Sequence, residues 1–182
     1  MDDFNELINY LSREKINRVV LNSDEDHGLI VLRQIFVQSN ETVRIFAGAL
    51  YKSIGDDPAY IESISSFIER GGAVKILLNN FDQERAKESN LFKRLAFYVS
   101  EKKPIHIRCT TSKPFLKNDT EQKPIHFTIG DETSYRIETD IEKRTAYFNF
   151  NNPEFAKSYV KFFDDVFAKA SDIDIKSIFN LD

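Results

Sequence analysis

The chain has a single cysteine, Cys109, and only three histidines among its 182 residues. A lone thiol excludes an internal disulfide and a cysteine-based zinc site, and it fits a reducing compartment. Three scattered histidines make a metal site a poor reading, and no cofactor is expected. Tryptophan is absent and Met1 is the sole methionine, so sixteen Phe and seven Tyr must supply much of the core. No apolar run is long enough to cross a bilayer. The acidic start, Met1-Asp2-Asp3-Phe4-Asn5-Glu6, lacks the apolar stretch of a signal peptide. The expectation is a cytoplasmic domain with no membrane partner. A net charge of −4 gives no bulk attraction for nucleic acid, so such a partner is not indicated, although a local basic face stays open. There is no G-x-S-x-G, and Gly71-Gly72 has neither the lysine nor the spacing of a phosphate loop. No repeat or domain-scale linker interrupts the chain. One domain over 1–182 is expected, with 171–182 as a tail or docking segment.

What is present reads first as a βαβ unit. Phe4, Leu7, Ile8 and Leu11 at helical spacing open the chain, and Arg18-Val19-Val20-Leu21 is a brief strand. Asn22 to Asp26 supplies cap residues and early acids for a helix through Val37. Val43 to Ala49 is a buried strand. Asp57 and Pro58 start a helix that buries Ile61, Ile64 and Ile68 and stops at Gly71-Gly72. Ala73 to Leu78 is a second buried strand, and the spacing predicts a parallel, right-handed crossover. A helix over roughly 85–100 follows. After Pro104 the pattern turns to β, with runs at Ile105–Thr110, His126–Asp131, Ser134–Glu138 and Arg144–Asn152 around a polar loop at 112–122. A last helix carries Phe155, Tyr159, Phe162, Phe163, Val166 and Phe167 on one wide stripe. The fold class is α/β: a mixed β-sheet, parallel in its N-terminal part and antiparallel in its C-terminal strands, flanked by helices.

The polar residues allow sharper and blander readings. His126 is a candidate nucleophile, or a partly buried histidine beside Pro124 and Ile125. His106 and Arg108 share a strand face; if that strand neighbours His126, the three could bind a phosphate, and otherwise they form a solvated face. Arg136 and Glu138 also share a face. An ion pair there would contribute roughly under 1 kcal/mol if exposed. His27 sits at a helix start among Asp24, Glu25 and Asp26, and Asp56-Asp57 reads as a cap.

The element order, the Gly71-Gly72 turn and the stretch His126–Phe163 resemble one half of the phospholipase D-like superfamily. Active members carry H-x-K-x-x-x-x-D, then a strand ending near G-S-x-N and a helix. They use two such motifs, from two half-domains or two identical chains. The resemblance implies that one histidine attacks phosphorus, the other protonates the leaving oxygen, and lysines hold the phosphate. His126 matches the motif histidine, but Thr128 stands at the lysine position and Thr133 at the aspartate position, with Asp131 two residues early. Asn149 or Asn151 could match the motif asparagine, while Tyr147-Phe148 replaces the small Gly-Ser pair. The chain is therefore more similar to the divergent branch without an intact motif, whose members occur as sensor or accessory domains. The implied function is a catalytically degenerate binding, sensor or assembly module, homodimeric or bound to a partner protein, with a phosphate-containing ligand. The alternative is a homodimeric phosphodiesterase or nuclease using His126 from each chain, with Arg136 or Arg108 as the cation.

Overall fold

Every α-helix after the first begins where a short oxygen-bearing side chain accepts from the first backbone N–H groups. The computed structural model describes residues 2–51, 53–115 and 123–181. Helix α1 spans Asp2–Arg13. Strand β1 (Val20–Asn22) leads to Asp24, whose carboxylate accepts from the His27 N–H and caps α2 (Glu25–Gln38). Strand β2 is Thr42–Ala47; α3 (Pro58–Glu69) is capped by Asp57 and followed by Gly71 at φ +96°. Strand β3 is Ala73–Leu78. The single helix expected over 85–100 is broken into α4 (Gln83–Glu88) and α5 (Asn90–Ser100). The break falls at Ser89, whose hydroxyl accepts from the Phe92 N–H and donates to Asp56.

The second half supplies β4 (Ile105–Cys109), β5 (His126–Gly130), β6 (Ser134–Asp140), β7 (Thr145–Asn149) and α6 (Pro153–Phe167). Most of the polar loop expected at 112–122 lies outside the described residues. Residues 171–181, expected as a tail or docking segment, dock: β8 (Ser171–Asp172) pairs with β4, and α7 (Ile175–Ile178) buries Ile175.

Among the described residues eight strands form one mixed sheet, ordered β1-β7-β6-β5-β2-β3-β4-β8. Only β2–β3 and β3–β4 are parallel, so the βαβ expectation holds. Helices α1, α2, α3, α5 and α7 bury Ile8, Phe36, Ile64, Phe92 and Ile175 on one face; α6 covers the other with Phe163 against Phe46 and Phe127. Strand alternation divides the C-terminal hairpins accordingly. Phe127, Ile129, Tyr135 and Ile137 turn to α6. His126, Thr128, Arg136 and Glu138 therefore turn to the many-helix face, inside an otherwise apolar layer.

Candidate functional site

Strand β5 runs antiparallel to β2, which places His126 at the carboxyl end of the parallel strands. In open α/β sheets that end is where crevices for ligands form. Across β5 and β6 the register sets His126 opposite Glu138 and Thr128 opposite Arg136. His126 Nδ1 lies 3.3 Å from Glu138 Oε2, Arg136 Nη2 lies 3.5 Å from Glu138 Oε1, and Arg144 Nη1 lies 3.7 Å from the same oxygen. Glu138 and Arg136 are buried, whereas Arg144 is part exposed and also faces Glu25 at 3.9 Å. The same-face Arg136–Glu138 ion pair, which would contribute little if exposed, is buried, and its energetics follow desolvation rather than surface screening.

Burial sets the electrostatics of this cluster. It works against the Arg136 charge and lowers its pKa, opposed by the Glu138 carboxylate. Burial also pushes the Glu138 carboxyl up, but the hydrogen bond from His126 and the Arg136 charge outweigh it and hold the group below its usual value. The pair is therefore ionised. A neutral His126 donates from Nδ1 to Glu138 and keeps Nε2 as an acceptor or nucleophile. Nε2 faces Gly48, where a Cβ would come within 3.1 Å of it. The Gly48 carbonyl is itself tied to the Asn80 N–H at 2.7 Å.

These groups line a crevice of about 100 Å³ together with Tyr51, Tyr60 and the apolar side chains of Leu32, Ile45, Leu50 and Ile54. Burial raises the Tyr60 pKa, so its phenol stays neutral. Arg144 was not singled out from the sequence. It precedes β7 with φ +57°, a hairpin position, and only the β6–β7 pairing carries it to Glu138.

The other sequence-derived candidates lie elsewhere. His106 and Arg108 sit on β4, separated from β5 by β2 and β3, and they turn to the opposite face. The structure does not bring them to His126. Arg108 Nε pairs with Asp172 at 2.7 Å, its Nη1 donates to the Phe167 carbonyl, and its guanidinium stacks over the Phe167 ring. His106 is exposed. Asn149 donates to Asn17 and accepts from the Asn151 N–H, and the Asn151 amide donates to the Lys15 carbonyl, so both tie β7 to the loop after α1. Asp131 accepts from the N–H groups of Asn40, Glu41 and Thr42, locking the β5–β6 turn to the start of β2.

No protein-family model matches the chain, and no curated protein matches it. Solved structures do. TrmBL2, an archaeal chromatin protein with a novel mode of DNA binding, matches with a TM-score of 0.65 at 15% identity, over 94% of this chain and 63% of that one. The chain thus spans less than two thirds of that protein. Nuc from Salmonella typhimurium, a phospholipase D family member, matches with a TM-score of 0.59 at 15% identity, over 87% of this chain and 99% of its own. NucT from Helicobacter pylori matches with a TM-score of 0.56 at 14% identity, over 87% and 100%. At such identities the likeness concerns the backbone, and it agrees with the mixed sheet and its flanking helices: the chain has the phospholipase D-like fold.

Proposed function

We propose that this chain is a phospholipase D-like binding module that does not turn over phosphodiesters. One observation carries the reading: Thr128 takes the place of the lysine, and the cation across from it, Arg136, is buried with its charge already offset by Glu138, whatever N–H donors it keeps. In-line attack by an imidazole builds charge on the equatorial oxygens, and that charge needs a cation free to meet it. The imidazole–carboxylate pair remains, and the phosphate clamp does not. Incubation with bis(para-nitrophenyl) phosphate and with a single-stranded oligonucleotide tests this. No turnover above a heat-denatured control is expected. Turnover abolished by His126→Ala and kept by the exposed Arg33→Ala would overturn it.

A second reading rests on the imidazole alone. Glu138 holds Nδ1 and leaves Nε2, beside Gly48, as the nitrogen that a nucleophilic histidine would use. In that reading two copies place their His126 side chains across a two-fold axis, with Arg144 as the accessible cation. A monomer at working concentration in sedimentation velocity would end it. The likeness to a DNA-binding chromatin protein makes nucleic acid a partner worth measuring, and the net charge of −4 predicts weak, strongly salt-dependent binding at most.

A further inference from the structure

The Arg136 guanidinium is short of acceptors. Among the described residues its side chain makes one hydrogen bond, the 3.5 Å contact to Glu138, and its buried Nε has no partner. A guanidinium offers five N–H donors, and a buried one that is left unmatched is costly. The residue is 5% exposed and lines the crevice. A ligand that brings oxygens to it would complete the site.

The walls and the charge decide which oxygens. Two guanidiniums, Arg136 and Arg144, surround one carboxylate, Glu138, and Glu25 draws on Arg144 from outside. With a neutral His126 the surplus is at most one positive charge, which matches a singly charged anion better than a phosphate dianion. Leu32, Ile45, Leu50 and Ile54 give the crevice an apolar wall beside the polar groups of Tyr51, Tyr60, His126 and Thr128, so a ligand that fits both carries an apolar group as well as its oxygens. A cavity of roughly 150 Å³ admits benzene, so one of about 100 Å³ admits a body no larger than a few heavy atoms. Planar carboxylate matches planar guanidinium in a two-point contact.

The geometry points to a short-chain monocarboxylate as the ligand of this crevice, its carboxylate on Arg136 and its aliphatic end against Ile45 and Leu50. The inference rests on the reading of the site as a non-catalytic binding pocket. It replaces the phosphate-containing ligand that the family resemblance implied with a smaller, singly charged one. No covalent step is involved.

Isothermal titration of the intact chain with acetate, propionate, butyrate, octanoate and inorganic phosphate tests it. Propionate or butyrate should bind more tightly than acetate, because the apolar wall rewards the added methylenes. Octanoate should fail for size, and phosphate should bind at least tenfold more weakly than propionate. Arg136→Met should weaken propionate by about 10-fold or more, the loss of a charge-assisted pair. If that variant does not fold, the chain-length series on the unaltered protein still decides. Phosphate binding as well as or better than propionate, an affinity that ignores chain length, or no binding of any acid overturns the inference. Each of these outcomes leaves the absence of turnover standing. Turnover of the diester would overturn the functional reading instead.

Discussion

Glu138 lies within reach of two guanidiniums and an imidazole, and that placement governs the residue-scale expectations. Glu138→Gln removes the one carboxylate that balances buried Arg136. Breaking one side of a buried pair costs about 3–5 kcal/mol, and a urea denaturation midpoint should fall accordingly. Gly28 gives a second test. A Cβ there would stand 2.9 Å from Arg136 Nη2, so the glycine makes room for the guanidinium beneath α2. Gly→Ala inside a helix ordinarily gains up to ~1 kcal/mol. Here Gly28→Ala should instead destabilise, and the same change in an Arg136→Met background should stabilise. A double-mutant cycle reads the coupling, and additivity within ~0.5 kcal/mol would refute the contact.

At the scale of elements, two long-range ties hold the sheet's register. The Asp131 carboxylate accepts three consecutive N–H groups at distances of 2.6 to 2.9 Å, joining the β5–β6 turn to β2. Asp131→Ala should cost about 1–3 kcal/mol and should speed amide exchange at Thr42. Asp131 also sits at φ +46°, a conformation Asn adopts as readily as Asp, so Asp131→Asn should recover part of the loss. On the far edge, Arg108 bridges Asp172, the Phe167 carbonyl and the Phe167 ring. Arg108→Ala should loosen β8 and raise exchange at Ile173, whose N–H donates to Ile107, with little change in the global midpoint.

For the whole molecule the acid limb of stability carries the signature of the site. The folded-state pKa of Glu138 lies below its ordinary value, so its contribution is fully present above about pH 4.3 and is lost as pH falls through the depressed folded value. Glu138→Gln lacks this contribution. Its stability should fall less steeply than that of the unaltered chain below about pH 4, as followed by circular dichroism. Parallel curves in that range would contradict the burial and pairing of Glu138. No helix among the described residues is long and apolar enough to cross a membrane.

The sequence by itself determined most of the elements, because their signals are local; the break at Ser89 and the short β8 and α7 were beyond it. Asp24 and Asp57 cap where their spacing places them, Gly71 ends its helix with a positive φ, and alternation separates Phe127 and Ile129 from His126 and Thr128. It also determined that Arg136 and Glu138 share a face, since strand period alone dictates it. Only the tertiary structure decided which strands are neighbours. Strand β5 is separated from β4 in the sheet by β2 and β3 and pairs with β2, which takes His126 away from His106 and Arg108 and sets it, half-buried, beside Glu138, which Arg144 also reaches. That choice comes from long-range pairing and from the packing of two helical layers of unequal size, and no window of a few residues contains either. The position left open by Thr128 was legible in the chain; the buried, acceptor-poor Arg136 across from it was not.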